Sequence, residues 1–118
     1  MPQCPKCSGQ LHELDTHEAV SMDFCSGCKG IWFDAGEAAA YFEMAEDLPE
    51  LKTALQTALP TDFSCPKCQN LLLEVRFHSG ADVMLDYCQA CGGLFFDRGE
   101  VPVVEQIAGR LESPQSKV

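Results

Sequence analysis

Basic residues are scarce in this chain: 8 Lys and Arg stand against 18 Asp and Glu in 118 residues, a formal net charge of −10. Eight scattered cations do not easily build the broad basic surface that duplex DNA binding requires, so we do not expect the protein to bind duplex DNA. Long apolar runs are also absent, since none approaches the roughly 20 residues of a membrane span, and no apolar signal-peptide core follows Met1. We therefore expect a cytoplasmic protein with no membrane segment.

Cysteine is the residue type in unusual supply, with eight in the chain. In a compartment that keeps thiols reduced, clustered cysteines are metal ligands more often than disulfide partners. Their order along the chain shows an internal repeat. The segment Cys4-Pro5-Lys6-Cys7 recurs 61 residues later as Cys65-Pro66-Lys67-Cys68. A second segment, GIWFDAGE at 30–37, recurs 63 residues later as GLFFDRGE at 93–100, so the chain holds two copies of one unit.

Each copy is predicted to contain three short antiparallel strands. The two-residue difference between the offsets places an insertion near 15–18 in the first copy and 76–81 in the second. Alternating apolar and polar residues flank this point in copy two, which indicates a hairpin whose tip tolerates changes in length. The apolar triplets at 31–33 and 94–96 then supply a third strand in each copy.

The cysteine spacing within each copy, C-x2-C-x17-C-x2-C and then C-x2-C-x19-C-x2-C, is typical of a tetrathiolate zinc site. A hairpin returns the second pair of thiolates to the first, which completes a tetrahedron at about 2.3 Å Zn–S. Four cysteines leave no open position for a water, so the sites are predicted to be structural and the protein not to be an enzyme. Rubredoxin-like iron and a redox-active thiol pair are the alternatives. The predicted ligands of two Zn²⁺ ions are Cys4, Cys7, Cys25, Cys28, Cys65, Cys68, Cys88 and Cys91.

An Asp-x-Gly-Glu motif closes each copy, as Asp34 to Glu37 and as Asp97 to Glu100. We interpret it as a capping box, in which the Asp side chain accepts from the first helical N–H groups and the Glu reaches back to the Asp backbone. A helix is therefore expected after each ribbon. Capping explains these carboxylates better than catalysis or metal binding.

The predicted fold is a small metal-bound α+β protein with two tandem zinc ribbons, each followed by a helix, and a helical linker between them. Residues 1–42 form ribbon 1 with the start of its capped helix, 43–62 the linker, 63–112 ribbon 2 with a C-terminal helix, and 113–118 a disordered tail. Helices are expected at 36–46 and 49–59. Their apolar stripes pack on the ribbons, or alternatively form a homodimer.

We call each C-x2-C segment a knuckle. The knuckles, followed by Gly30 or Gly93, two aromatic residues and the D-x-G-E ending, resemble a small zinc-finger family named for the zinc ribbon of transcription factor IIB. The resemblance covers roughly 4–42 and 65–104. It implies a zinc ribbon and assigns the metal to the eight cysteines, and it implies little about activity because fold does not fix function. Phe95 departs from the Trp that such motifs usually carry.

The leading functional hypothesis is a non-catalytic protein-interaction module, associated with transcription, whose contact surface includes Trp32, Phe33, Phe95 and Phe96. One alternative is a redox or zinc-level sensor that acts by metal release. Another is single-stranded nucleic acid binding by aromatic stacking. Because eight thiolates add −8 and two Zn²⁺ add +4, the zinc-loaded chain carries −14, which favours a protein partner.

Overall fold

Seven antiparallel strands form one continuous sheet in the order β1-β2-β3-β7-β6-β5-β4. The computed structural model describes residues 3–7, 9–15, 20–78 and 82–111. Both predicted hairpin tips and the predicted tail lie at least partly outside these residues. The elements are β1 (Leu11–Asp15), β2 (Ser21–Cys25), β3 (Ile31–Phe33), α1 (Glu37–Phe42), α2 (Leu51–Gln56), β4 (Leu59–Ser64), β5 (Leu71–Arg76), β6 (Met84–Tyr87), β7 (Leu94–Phe96) and α3 (Glu100–Leu111).

The prediction of two three-stranded ribbons is wrong, because the third strands of the two copies pair with each other and all seven strands form one sheet. Trp32 of β3 lies opposite Phe95 of β7, and the neighbouring pairs are Ile31 with Phe96 and Phe33 with Leu94. Equivalent residues of the two copies exchange places in this register, so a pseudo-two-fold axis passes between Trp32 and Phe95. An unpaired third strand would expose its backbone N–H and C=O groups at an apolar edge. Pairing the two strands removes both edges.

The helices are shorter than predicted, and part of the predicted linker is a strand. Helix α1 ends at Phe42 because Glu43 is left-handed (φ 57°) and its N–H bonds to the last carbonyls of the helix. Helix α2 ends at Gln56, and Leu59–Ser64 then forms β4 on the outer edge of β5. β4 therefore extends beyond residue 62, the predicted end of the linker. No helix within the described part of the chain has the length and apolar character needed to cross a membrane.

The two faces of the sheet carry different cores. One face packs against the helices, through side chains such as Phe33, Phe96, Phe42 and Val104. Helix α3 contributes Val104, Ile107 and Ala108 to this core, where all three are buried. The other face, which we call the zinc face, carries Leu11, Leu72, Trp32 and Phe95 together with four of the cysteines: Cys4, Cys25, Cys65 and Cys88.

Gly30 and Gly93 admit the aromatic rings that meet at the pseudo-two-fold axis. A Cβ on Gly93 would lie 2.0 Å from Cζ2 of Trp32, and a Cβ on Gly30 would lie 2.1 Å from Cζ of Phe95. Each ring thus packs directly on the backbone of the other copy. Both rings are fully buried, so neither can move aside into solvent.

We predict that Gly93→Ala destabilises the zinc-loaded protein by about 3 kcal/mol, because the added methyl overpacks a buried ring. Gly109→Ala is the matched control: its Cβ would meet nothing within 4 Å in α3, and alanine favours a helix, so that variant should gain up to about 1 kcal/mol. Denaturant unfolding at a fixed free zinc concentration measures both. Equal stability of Gly93→Ala and wild type would contradict the packing described above.

Candidate metal centres

The eight cysteines form two clusters, and in each the four sulfur atoms lie within 4.8 Å of one another. In site 1 the Sγ atoms of Cys4 and Cys28 are 3.5 Å apart and those of Cys7 and Cys25 are 3.4 Å apart. In site 2 the corresponding distances are 3.5 Å for Cys65 and Cys91 and 3.4 Å for Cys68 and Cys88. A tetrahedron with Zn–S bonds near 2.3 Å has sulfur atoms about 3.8 Å apart, so both clusters fit one zinc ion.

Backbone N–H groups point at the sulfur atoms of both sites. In site 1 the N–H groups of Lys6 and Cys28 lie 3.4 and 3.5 Å from Cys4 Sγ and Cys25 Sγ. The equivalent groups of Lys67 and Cys91 lie 3.4 Å from Cys65 Sγ and Cys88 Sγ in site 2. The left-handed residues that turn these knuckles are Lys29, Gln69 and Gly92. Such hydrogen bonds stabilise thiolates, which are the ligand form that zinc requires.

Asn70 donates a side-chain hydrogen bond to site 2 that has no counterpart at the equivalent position of site 1, and sequence reasoning missed it. Its amide nitrogen lies 3.1 Å from Cys68 Sγ. Hydrogen bonds from the backbone and side chain of Asn70 lower the pKa of Cys68 to about 6. The equivalent position in site 1 is Gly9, which has no side chain to donate. Burial acts in the opposite direction on Cys4 and Cys65, whose thiol pKa values it raises.

Lys6 and Lys67 contact the other copy of the repeat, which the sequence did not reveal. Lys6, inside the first knuckle, places its Nζ 2.8 Å from Asp86 Oδ2 and 3.4 Å from Asp97 Oδ2. Lys67, inside the third knuckle, places its Nζ 3.1 Å from Asp23 Oδ2 and 3.5 Å from Asp34 Oδ2. Asp23 and Asp86 are buried. Burial would lower the pKa of Lys6, but the hydrogen bond and charge of Asp86 outweigh this and raise it.

The capping boxes form only in part. Each Glu makes its predicted bond, since Glu37 Oε1 accepts from the N–H of Asp34 at 3.1 Å and Glu100 Oε1 accepts from that of Asp97 at 2.7 Å. The Asp side chains make other contacts: Asp34 Oδ1 accepts a hydrogen bond from the indole Nε1–H of Trp32 at 2.9 Å.

The side chain that satisfies the start of α1 is Asp47, eleven residues after Gly36. Its carboxylate accepts from the N–H groups of Gly36 and Ala39 at 2.6 and 2.8 Å. Because Asp47 follows the helix in sequence, a local capping pattern could not identify it.

The prediction that Trp32, Phe33, Phe95 and Phe96 form a contact surface is wrong. All four side chains are buried, with exposures of 1% or less. Trp32 and Phe95 meet across the pseudo-two-fold axis on the zinc face, whereas Phe33 and Phe96 pack edge to face in the helix-side core, with ring centroids 5.3 Å apart. The four side chains are buried because β3 pairs with β7, which places these strands in the middle of one sheet.

Metal removal provides a direct test of the two sites. We predict that a chelator under reducing conditions releases two zinc ions per chain and unfolds it, because a small sheet of this kind depends on metal binding for folding energy. Trp32 is the single tryptophan and is fully buried, so its fluorescence should shift to the red and return when Zn²⁺ is restored. Mg²⁺ is the control and should restore nothing. A fluorescence spectrum unchanged by complete zinc removal would contradict this dependence.

Glu100 gives a pH-dependent prediction. Burial, together with the nearby charges of Asp97 and Asp86, raises the pKa of Glu100 from 4.5 to about 7. Between these values the folded chain binds more protons than the unfolded chain, so stability from this group falls as pH rises from 4.5 to 7.

Glu100→Gln keeps an oxygen that accepts from Asp97 and removes the titration. We expect this variant to gain stability over wild type as pH rises, on the order of 1 kcal/mol at pH about 8 because the side chain is partly solvated. Glu105→Gln, at an exposed position of α3, is the control and should show no such trend. The measurement is denaturant unfolding of the zinc-saturated wild type and both variants across this pH range. A stability difference between Glu100→Gln and wild type that does not change with pH would contradict the burial of Glu100.

Comparison with known proteins agrees with this geometry. The Transcription factor zinc-finger family matches two segments, residues 3–44 and 64–102, which together make up more than half of the chain. No curated protein and no solved structure gave a match. The two matched segments are the two copies of the repeat, and each contains one complete set of four sulfur ligands. The chain is a zinc-binding member of the Transcription factor zinc-finger family.

Proposed function

We propose that this protein is a non-catalytic protein-interaction module, associated with transcription, in which two zinc sites hold one rigid sheet. The observation that carries the proposal is the closed chemistry of both sites. Each is completed by four thiolates, so neither leaves a position at which a substrate or an activated water would bind. The family description supports the link to transcription.

A groove beside site 2 supplies a candidate contact surface. It has a volume of about 360 Å³ and is lined by Asn70, Leu71, Leu73, Gln89 and Ala90. Leu71 is 60% exposed, which is high for a leucine in a strand. The positions in the first copy that are equivalent to Leu71 and Leu73 are Gln10 and His12, so the two leucines distinguish the second copy. Since the zinc-loaded chain carries −14, we propose a partner that inserts an apolar side chain flanked by basic residues.

The other hypotheses from the sequence have unequal support. The exposure of Cys7 and Cys91 favours the sensor, because an oxidant can reach one ligand of each site in the folded protein. Stacking of single-stranded nucleic acid relied on four aromatic side chains that are buried. A homodimer through the helices requires exposed apolar stripes, whereas Phe42 of α1, Ala54 of α2 and Val104 of α3 are packed in the core.

We predict that Leu71→Asp weakens capture of the partner at least tenfold, as expected for a central apolar contact. Leu14→Asp is the matched control, because Leu14 is 45% exposed on β1 at the other edge of the sheet. Zinc-loaded wild type and both variants are used to capture proteins from the native lysate, and captured proteins are quantified by mass spectrometry.

The partner is a protein retained by wild type and Leu14→Asp and lost with Leu71→Asp, and its direct binding is then measured with purified components. If no protein distinguishes Leu71→Asp from wild type, the groove is not a contact surface and the sensor becomes the better hypothesis.

A further inference from the structure

The two ion-pair clusters on the zinc face connect the metal sites to each other. Lys6 lies between Cys4 and Cys7 of site 1, and its closest partner, Asp86, lies two residues before Cys88 of site 2. Lys67 lies between Cys65 and Cys68 of site 2, and its closest partner, Asp23, lies two residues before Cys25 of site 1. One knuckle of each site therefore places a lysine against a carboxylate on the strand that leads to a ligand of the other site.

The carboxylates need these lysines because they are buried beside like charges. Asp86 is 3% exposed and lies directly opposite Glu74 across β5 and β6. Asp23 is 8% exposed and lies directly opposite Glu13 across β1 and β2. Opposed like charges destabilise a sheet, and a buried carboxylate that loses its partner destabilises it more.

The lysines are in place only when their knuckles are folded. A knuckle of four residues has no core of its own, so the metal that closes it supplies its order. With site 1 empty, Lys6 loses its fixed position and Asp86 is left without its cation, next to a ligand of site 2. With site 2 empty, Lys67 likewise loses its position and Asp23 is left without its cation beside a ligand of site 1. Coupling between two binding sites is reciprocal, so each ion favours the binding of the other.

We propose that Lys6 and Lys67 couple the two sites, so that the chain binds its two zinc ions cooperatively and the species with one ion is depleted. The packing of Trp32 on Gly93 and of Phe95 on Gly30 joins the same two units, and the ion pairs add coupling to it. Such a chain changes between metal-free and fully loaded forms over a narrow range of free zinc. This holds whether or not the groove binds a protein partner.

Zinc titration followed by native mass spectrometry tests the proposal on the full chain. When an average of one ion is bound per chain, equal and independent sites leave about half of the molecules with one ion; a tenfold coupling lowers that fraction to about one quarter. We expect the singly loaded fraction of wild type to fall below one half, and to lie near one quarter if the coupling is tenfold. A fraction of one half or more would overturn the proposal.

The variants separate ion-pair coupling from other contacts. Lys6→Met/Asp86→Asn removes both partners together and leaves no buried unpaired charge, so it is the variant on which the role of Lys6 is judged. We expect its singly loaded fraction to rise toward one half, and Lys6→Arg to retain the wild-type distribution. Lys29→Met is the matched control, because Lys29 also adjoins a knuckle but its ammonium lies 5.8 Å from the ring of Phe24 in its own copy.

A double variant as cooperative as wild type would show that the ion pairs do not couple the sites. An equal rise in Lys29→Met would show that any lost positive charge has the same effect. Either result overturns the assignment to Lys6 and Lys67.

Discussion

The antiparallel pair of β3 and β7 is the contact on which the remaining structure depends. Trp32 and Phe95 face each other across it, and each ring lies against a glycine of the other copy, so the strands meet only if residues 30 and 93 lack side chains. This pair turns two hairpins, each too small to bury a core, into a sheet with two packed faces. The strand order and the burial of the aromatic residues both follow from it.

The zinc face shows how the pair organises charge. In register across six strands lie Glu13, Asp23, Trp32, Phe95, Asp86 and Glu74, so two pairs of carboxylates flank the aromatic pair. Four acidic side chains on one face would oppose folding, and the two knuckle lysines that offset them come from the opposite copies. Metal binding and sheet formation are thereby linked: the knuckles carry the cations, and the sheet carries the anions that the cations must meet.

The sequence predicted the parts of the molecule that depend on local spacing. The eight ligands, the three strands of each copy and the reach of Glu37 and Glu100 back to the preceding Asp all arise within a few residues or one hairpin. The rest depends on contacts between the copies, which leave no periodic signal. Gly30 and Gly93 fit a turn as well as a close approach, and Lys6 and Lys67 beside thiolates suggest local charge balance. Asp47 is another case, since an acidic residue after a helix does not show that it caps the start of that helix.

The prediction of an exposed aromatic surface was wrong for the same reason, because its four side chains are buried where the two copies join. The groove beside site 2 and one cysteine of each site are accessible, and these are the features from which the protein's interactions and responses are proposed.

Nuclear magnetic resonance of the zinc-loaded chain tests the union of the two ribbons most directly. One sheet predicts nuclear Overhauser contacts between the backbone protons of Trp32 and Phe95 and between the Trp32 ring and Gly93. It also predicts a single rotational correlation time for both copies in ¹⁵N relaxation. Absence of these contacts, together with separate correlation times for residues 3–44 and 64–102, would contradict it.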